Sequence, residues 1–353
     1  MPTAQASPPI PKKIAIVRFS ALGDVVLTLP VVRSLQQSFP DSEITWITSP
    51  MGLAMMEGLK GVSFVVCDKP RSFADYRSFY RRLRARSFDV VLAMQANLRI
   101  NLLYPALHAP RKIGFDRMRA REGQWLFCNE QIEFAGAHLL DGFMGFARRL
   151  GAGLGEPQWS LPLAEADREW AHEQVRGLPR PIIAVHPCSS KPERNWPFER
   201  YGETVRLAMQ RWQCGFVFTG GNSELEQRQC SLLAELAGER GVNICGRSTP
   251  KQLAAVLEIA DALVSPDTAA VHLARAADTP VVGLYAVAPP ELSGPYGRQE
   301  YVINRYPDAV RKYLKRDPEQ LPWNTRVHHP DAMKLIEVAD VLAQLERLVG
   351  HAR

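Results

Sequence analysis

The sequence predicts an α/β protein made of two doubly wound, Rossmann-like domains. Three observations predict it. The chain has 353 residues, too many for one typical core. Short β-branched runs alternate with helical stretches twice, once within 13–94 and again within 182–285, the pattern of βαβ units and parallel sheets. Between the two series lie Gly151, Gly153, Gly155, Pro157 and Pro162, a linker signal. The expected organisation is a flexible tail over 1–11, one domain over 12–160 and a second over 161–353. The last helix of the second domain is free to pack back on the first.

The elements follow in order. Residues 13–19 (KIAIVRF) read as a buried strand. A loop over 20–24 follows, then an apolar helical stretch to about Phe39, which Pro30 either kinks or restarts. Glu43–Thr48, Val62–Val66 and 89–94 are the next strands, with an arginine-rich helix between the last two. In the second series, 182–186 is a strand, then a polar loop and a helix over Phe198–Trp212. Residues 215–219 form a strand that runs into Gly220-Gly221 and a helix. Ser248-Thr249-Pro250 caps the next helix. Strands over 262–265 and 280–285 complete the series, and Asp267-Thr268 opens the helix between them.

Composition excludes several classes. Hydrophobic residues make up 46% of the chain, too many for disorder. The net charge of +6 suits an anionic partner without implying nucleic acid. The six cysteines form no CxxC pair and read as small core residues in a reducing compartment. Segment 1–11 is polar and proline-rich, with no apolar core of a signal peptide or anchor. Apolar runs are strand-length, so a cytoplasmic protein is expected, with peripheral membrane contact open. No GxGxxG, Walker motif, Asp-x-Asp or HExxH occurs. No cofactor and no metal are expected.

In open α/β sheets, ligands sit beyond the carboxyl ends of strands. The loops 20–24, 187–197, 220–224 and 266–272 are therefore the candidate site. Two readings stand for Asp24. It caps a helix, or it is a general base kept ionised by the helix dipole. Gly23 beside it permits close backbone approach to a ligand. Ser189, Ser190, Lys191 and Arg194 either stabilise a departing diphosphate or form a solvated loop. Asp267 and Thr268 open a helix whose free N–H groups suit phosphate, with His272 about one turn in. The alternative is a capped helix with a buried histidine. Arg77, Arg81 and Arg84 share one helix face. Arg111, Lys112, Arg117, Arg119 and Arg121 form a second basic cluster. Both clusters are either solvated charge or a docking surface for an anionic glycolipid.

Taken together, these loops resemble a known family. Arg18-Phe19-Ser20-Ala21-Leu22-Gly23-Asp24-Val25, with Thr28 and Pro30, is similar to the opening of the ADP-heptose:lipopolysaccharide heptosyltransferases, glycosyltransferase family 9. Arg194-Asn195-Trp196-Pro197 resembles the family's cationic residue before Trp-Pro, and Ser265-Pro266-Asp267-Thr268 with His272 its Asp-Ser/Thr-Gly-x-x-His element. Lys112-Ile113-Gly114-Phe115 and Arg121-Glu122 resemble its mid-domain acceptor segment. Three departures stand out: Ala269 replaces a glycine, Tyr285-Ala286-Val287 replaces Tyr-Gly-Pro, and segment 305–327 has no counterpart.

The resemblance implies a GT-B fold, its two domains facing across a cleft. It implies an inverting, metal-independent transfer of heptose from ADP-heptose to the lipopolysaccharide inner core. Asp24 is then the base. Ser189, Lys191, Arg194, Glu224, Asp267, Thr268 and His272 bind the nucleotide-sugar donor. Ser20, Gly23, Arg77, Arg81, Arg84 and Arg121 bind the anionic glycolipid acceptor, at or near the cytoplasmic face of the inner membrane. Two other readings are a relative using another nucleotide sugar and a non-catalytic binding protein. Asp24 weighs against the second, because binding alone needs no base.

Overall fold

The computed structural model describes residues 10–153 and 155–350. Apart from Ile10 and Pro11, the expected tail lies outside them. The chain divides into two compact units, Met1–Pro162 and Leu163–Arg353.

In unit 1, β1 (Lys13–Val17) leads into α1 (Leu22–Ser38), β2 (Glu43–Thr48), α2 (Pro50–Met56) and β3 (Val62–Val66). Then come α3 (Phe73–Leu83), β4 (Val90–Leu92), α4 (Leu98–Asn101), β5 (Arg111–Gly114), β6 (Glu130–Gln131) and α5 (Leu139–Arg149). The sheet is parallel, in the order β3-β2-β1-β4-β5-β6. β1 is central, with Ile14 opposite both Ile44 and Val90. Its four apolar residues are buried, because helices cover both faces of such a sheet. Pro30 stands inside one continuous α1, so it does not restart the helix. That helix begins at Leu22, which takes Gly23 and Asp24 out of the expected loop and into its first turn.

Unit 2 holds α6 (Glu165–Gln174), β7 (Ile182–Val185), α7 (Phe198–Trp212), β8 (Gly215–Phe218), α8 (Glu224–Ala237) and β9 (Gly241–Asn243). It continues through α9 (Pro250–Ile259), β10 (Ala262–Pro266), α10 (Ala269–Ala276), β11 (Val281–Tyr285) and α11 (Pro290–Ser293). β12 (Ile303–Asn304), α12 (Tyr306–Ala309) and α13 (Val338–Val349) end it. Its parallel sheet runs β12-β11-β10-β7-β8-β9. Counted within its own unit, this is the strand order of unit 1.

Each order reverses direction beside the first strand of the unit. The switch points lie between β1 and β4 and between β7 and β10, where an open α/β sheet leaves its ligand crevice. Segment 305–327, unplaced in sequence, packs into unit 2. Ala309, Val310 and Val327 are fully buried in its core. The Val327 N–H donates to Val287 O at 2.8 Å. Helix α13 buries Val341, Leu342 and Leu345 in that same core. The six cysteines are free thiols, four of them buried.

Candidate functional site

At the switch point of unit 1 the chain leaves β1 through Arg18, Phe19 and Ser20. The Gln95 side chain, just past β4, accepts from Phe19 N–H at 2.7 Å and lies 3.5 Å from Ser20 Oγ. From β2, Trp46 Nε1 donates to Arg18 O at 3.1 Å. The Ser49 hydroxyl donates to Phe19 O at 2.6 Å. These bonds pin the strand end from both sides.

Asp24 occupies the third position of α1. Its Oδ2 accepts from Ala21 N–H at 3.0 Å and forms an ion pair with the Arg18 guanidinium. Arg18 is itself buried, donates to Met94 O and lies 5.0 Å from the centre of the Phe143 ring. Asp24 therefore does brace a helix start, by reaching back to the cap residue. That contact takes one oxygen only. Among the described residues nothing bonds Oδ1, and the side chain keeps 24% of its surface in solvent.

Beside it lies a cavity of about 720 Å³ whose lining includes Ser20, Ser49, Asp68, Lys69, Arg71 and Arg99. Burial pushes the Lys69 ammonium below its ordinary range. The Arg99 and Arg18 charges push the same way, and the Asp24 carboxylate opposes them. Sequence reasoning missed Lys69, Arg71 and Arg99 as site residues. The strand-end rule could have found the first two, because they follow β3.

The basic clusters separate into two kinds. Arg77 and Arg81 on α3 and Arg84 at its C-cap are exposed and outside the cavity. Among the described residues none of the three is paired. The second cluster is corrected by its contacts. Arg111 pairs with Glu130 at 2.6 Å, Lys112 Nζ donates to Tyr104 O at 2.9 Å, and buried Arg119 pairs with Asp116 at 2.9 Å. Only Arg117 and Arg121 of that group stand exposed.

At the switch point of unit 2, Arg194 pairs with Asp267 at 2.9 Å, and Arg194 Nη1 also donates to Asp267 O at 3.3 Å. Asp267 directly precedes Thr268, the cap of α10, whose Oγ1 accepts from Ala270 N–H at 3.2 Å. Ser265 and Thr268 hydroxyls lie 2.9 Å apart. His272 is buried on α10. The 187–197 loop is ordered by its own bonds. Ser189 N–H donates to Asn195 Oδ1 at 2.6 Å, and Lys191 N–H to Ser189 Oγ at 3.2 Å. Trp196 anchors it, buried and donating to Ile336 O at 2.9 Å. The Lys191 side chain is exposed.

Glu224 is exposed in the first turn of α8. Two residues on, Glu226 accepts from Gly221 N–H at 2.9 Å and from the Ser223 hydroxyl at 2.5 Å. Burial alone would raise the Glu226 carboxylate, but these bonds and His186 bring it below its ordinary range. His186, at the end of β7, was also missed. Its Nδ1 lies 2.9 Å from Thr219 Oγ1, and burial pushes the imidazole down to about 4 against the pull of Glu226. The signal available was its position at a strand end. Among the described residues no cluster of three or more His, Cys, Asp or Glu could hold a metal ion.

Residues 76–320 match the family model described as glycosyltransferase family 9 (heptosyltransferase). The chain is also 33% identical over 339 residues to the lipopolysaccharide core heptosyltransferase OpsX of Haemophilus influenzae, spanning 96% of this chain and 97% of that protein. The chain belongs to glycosyltransferase family 9. Lipopolysaccharide heptosyltransferase 1 of Escherichia coli K12 is a further relative, 26% identical over 308 residues, which are 82% of this chain and 92% of that one.

Among solved structures, the fold matches the family 9 glycosyltransferase of Veillonella parvula with a TM-score of 0.78, 22% identity and coverage of 96% and 97%. It matches E. coli heptosyltransferase WaaC with ADP at a TM-score of 0.72, 22% identity and coverage of 95% and 99%. The two Rossmann-like units are thus those of the GT-B fold that the motifs imply.

Proposed function

We propose that this family 9 protein transfers heptose from ADP-heptose to a hydroxyl of the lipopolysaccharide inner core. One observation carries the mechanism: at a switch point, Asp24 has one oxygen fixed by Arg18 and Ala21 N–H and the other unbonded. A carboxylate fixed through one oxygen and unbonded at the other has what a general base needs. The acceptor hydroxyl gives its proton to Asp24 Oδ1 as its oxygen attacks the anomeric carbon. The bond from that carbon to the diphosphate breaks, and ADP leaves with the electron pair. A single displacement inverts the anomeric centre.

Unit 2 presents positive character to the departing diphosphate. Its sources are the positive dipole end of α10, the Arg194 guanidinium held by Asp267, and Lys191 and Ser189 on the loop before it. Thr268 and His272 support the α10 opening, and Glu224 contacts the nucleoside or sugar. With these cations the transfer needs no divalent ion and survives excess EDTA. Ser20 and Gly23 receive the acceptor sugar, while Arg77, Arg81, Arg84 and Arg121 attract its anionic groups.

Among the described residues no helix is long and apolar enough to cross a membrane. We place the reaction at the cytoplasmic face of the inner membrane, with the protein bound peripherally. The deciding experiment incubates the protein with ADP-heptose and a truncated core glycolipid, following ADP release and acceptor mass. A heptose-sized mass gain with ADP release is expected. No calorimetric binding of ADP-heptose overturns the reading.

A further inference from the structure

We infer that unit 1 carries a bilayer-docking surface, built from α3, α4 and the turn Gln124–Leu126, that takes a membrane with anionic headgroups. The inference rests on the glycolipid-acceptor reading and deepens it, since it names the surface that meets the lipid. Its first support is apolar exposure. Phe73 is 83% exposed, Leu126 76%, Trp125 54% and Leu98 50%, with Tyr80 and Leu102 also exposed. Scattered exposed apolar residues are ordinary, whereas a connected patch marks an interaction site.

The elements that carry these residues are tied together. Tyr76 Oη donates to Arg99 O at 3.1 Å and Tyr80 Oη to Leu102 O at 2.9 Å, which ties α3 to α4. Leu98 N–H donates to Glu122 Oε2 at 2.6 Å and Asn101 Nδ2 to Glu122 O at 2.9 Å, which ties α4 to the turn that carries Trp125 and Leu126. On α3, Phe79 and Leu83 face the core. The helical period therefore turns Phe73, Arg77, Tyr80, Arg81 and Arg84 together toward the opposite, solvent side.

Charge selects the occupant. Arg77, Arg81, Arg84, Arg99 and Arg121 are exposed on or beside the same elements. Among the described residues none of these five arginines forms an ion pair with an acid. Asp75 accepts from Arg71 and Ser72 N–H at 2.8 Å each, and Glu122 holds α4. A second copy of this chain placed symmetrically on the surface would set arginines against arginines, which is unfavourable. An anionic bilayer offers both complements, headgroup charge for the guanidinium groups and an acyl boundary for Trp, Phe and Leu. The cavity near Asp24 shares its lining with this surface through Arg71 and Asp75 on or beside α3 and Arg99 on α4. A lipid-anchored acceptor sugar would reach it from the docked bilayer.

The test is co-sedimentation of the whole protein with vesicles of phosphatidylglycerol and phosphatidylethanolamine, or of phosphatidylcholine alone. The variant is Trp125→Ser with Leu126→Ser, both exposed, with its melting temperature checked against wild type. Wild type is expected to partition onto the anionic vesicles about tenfold more than onto phosphatidylcholine. The variant should lose about tenfold of that partition, keep wild-type transfer to a deacylated, water-soluble acceptor, and show a raised KM for the same acceptor embedded in vesicles. Unchanged vesicle binding by the variant overturns the inference. So does wild-type indifference to anionic lipid, or a dimer in sedimentation equilibrium that the variant dissolves. Failure of wild type on the soluble acceptor sinks the acceptor reading alone, and the vesicle arm still decides the docking surface.

Discussion

Arg194 and Asp267 lie 73 residues apart in sequence, yet they form a 2.9 Å ion pair with both side chains nearly buried. The pair joins the loop after β7 to the opening of α10 across the switch point of unit 2. Two groups that sequence reasoning treated as separate donor contacts are therefore one unit.

That pairing makes a testable distinction. Removing one partner of a nearly buried pair strands the other charge, at a cost on the order of 3 kcal/mol. Arg194→Ala should lower the melting temperature and weaken ADP binding together. Adding Asp267→Ala should restore part of the stability but none of the affinity. Lys191→Ala, at an exposed position, should leave stability unchanged and weaken ADP less. Thermal melts and ADP titration of the four proteins check this, and a larger affinity loss for Lys191→Ala would show that Lys191 is the main cation.

Asp24→Asn preserves size and the bond from Ala21 N–H but cannot accept a proton. Turnover should fall roughly 10²–10⁴-fold while donor affinity holds. Single-turnover kinetics with saturating ADP-heptose measures the chemical step directly. Near-normal turnover would leave Asp24 as a helix brace only.

His186 predicts an acid sensitivity. Its folded pKa is depressed to about 4, below the ~6.5 of an unfolded histidine. Below pH 6.5 the unfolded chain takes up a proton that the folded chain refuses until about pH 4. Stability should therefore fall across that window by up to about 3 kcal/mol, and level off below it as far as this group is concerned. Urea unfolding at pH 7 and pH 4.5, for wild type and His186→Asn, reads the difference. The variant should show a shallower fall, and an identical fall would assign the acid loss to other groups.

The arginine face of α3 predicts a salt response. Attraction by exposed charges weakens as the Debye length shrinks to ~8 Å near 0.15 M salt. The KM for the glycolipid should rise steeply with salt, and the KM for ADP-heptose should move less. Replacing Arg77, Arg81 and Arg84 with Gln should raise the acceptor KM at low salt and flatten its salt slope. A variant with both values unchanged would leave acceptor attraction to the region of Arg121.

The sequence alone determined the two βα series, most of their strands, the loops that hold the candidate site, and the family. All of these rest on local pattern. Burial on both sheet faces selects β-branched runs such as 14–17, and helix starts select residues such as Asp24 and Thr268. Tertiary structure decided which of those residues meet. It set Arg18 on Asp24 and Arg194 on Asp267, and placed Lys69 and Arg99 around one cavity. It also turned Arg111, Lys112 and Arg119 from candidate docking residues into internal partners of Glu130, Tyr104 and Asp116. A charge run looks the same in sequence whether it faces solvent or a buried carboxylate. Strand order and register bring distant segments together, and only they determine which of the two it meets.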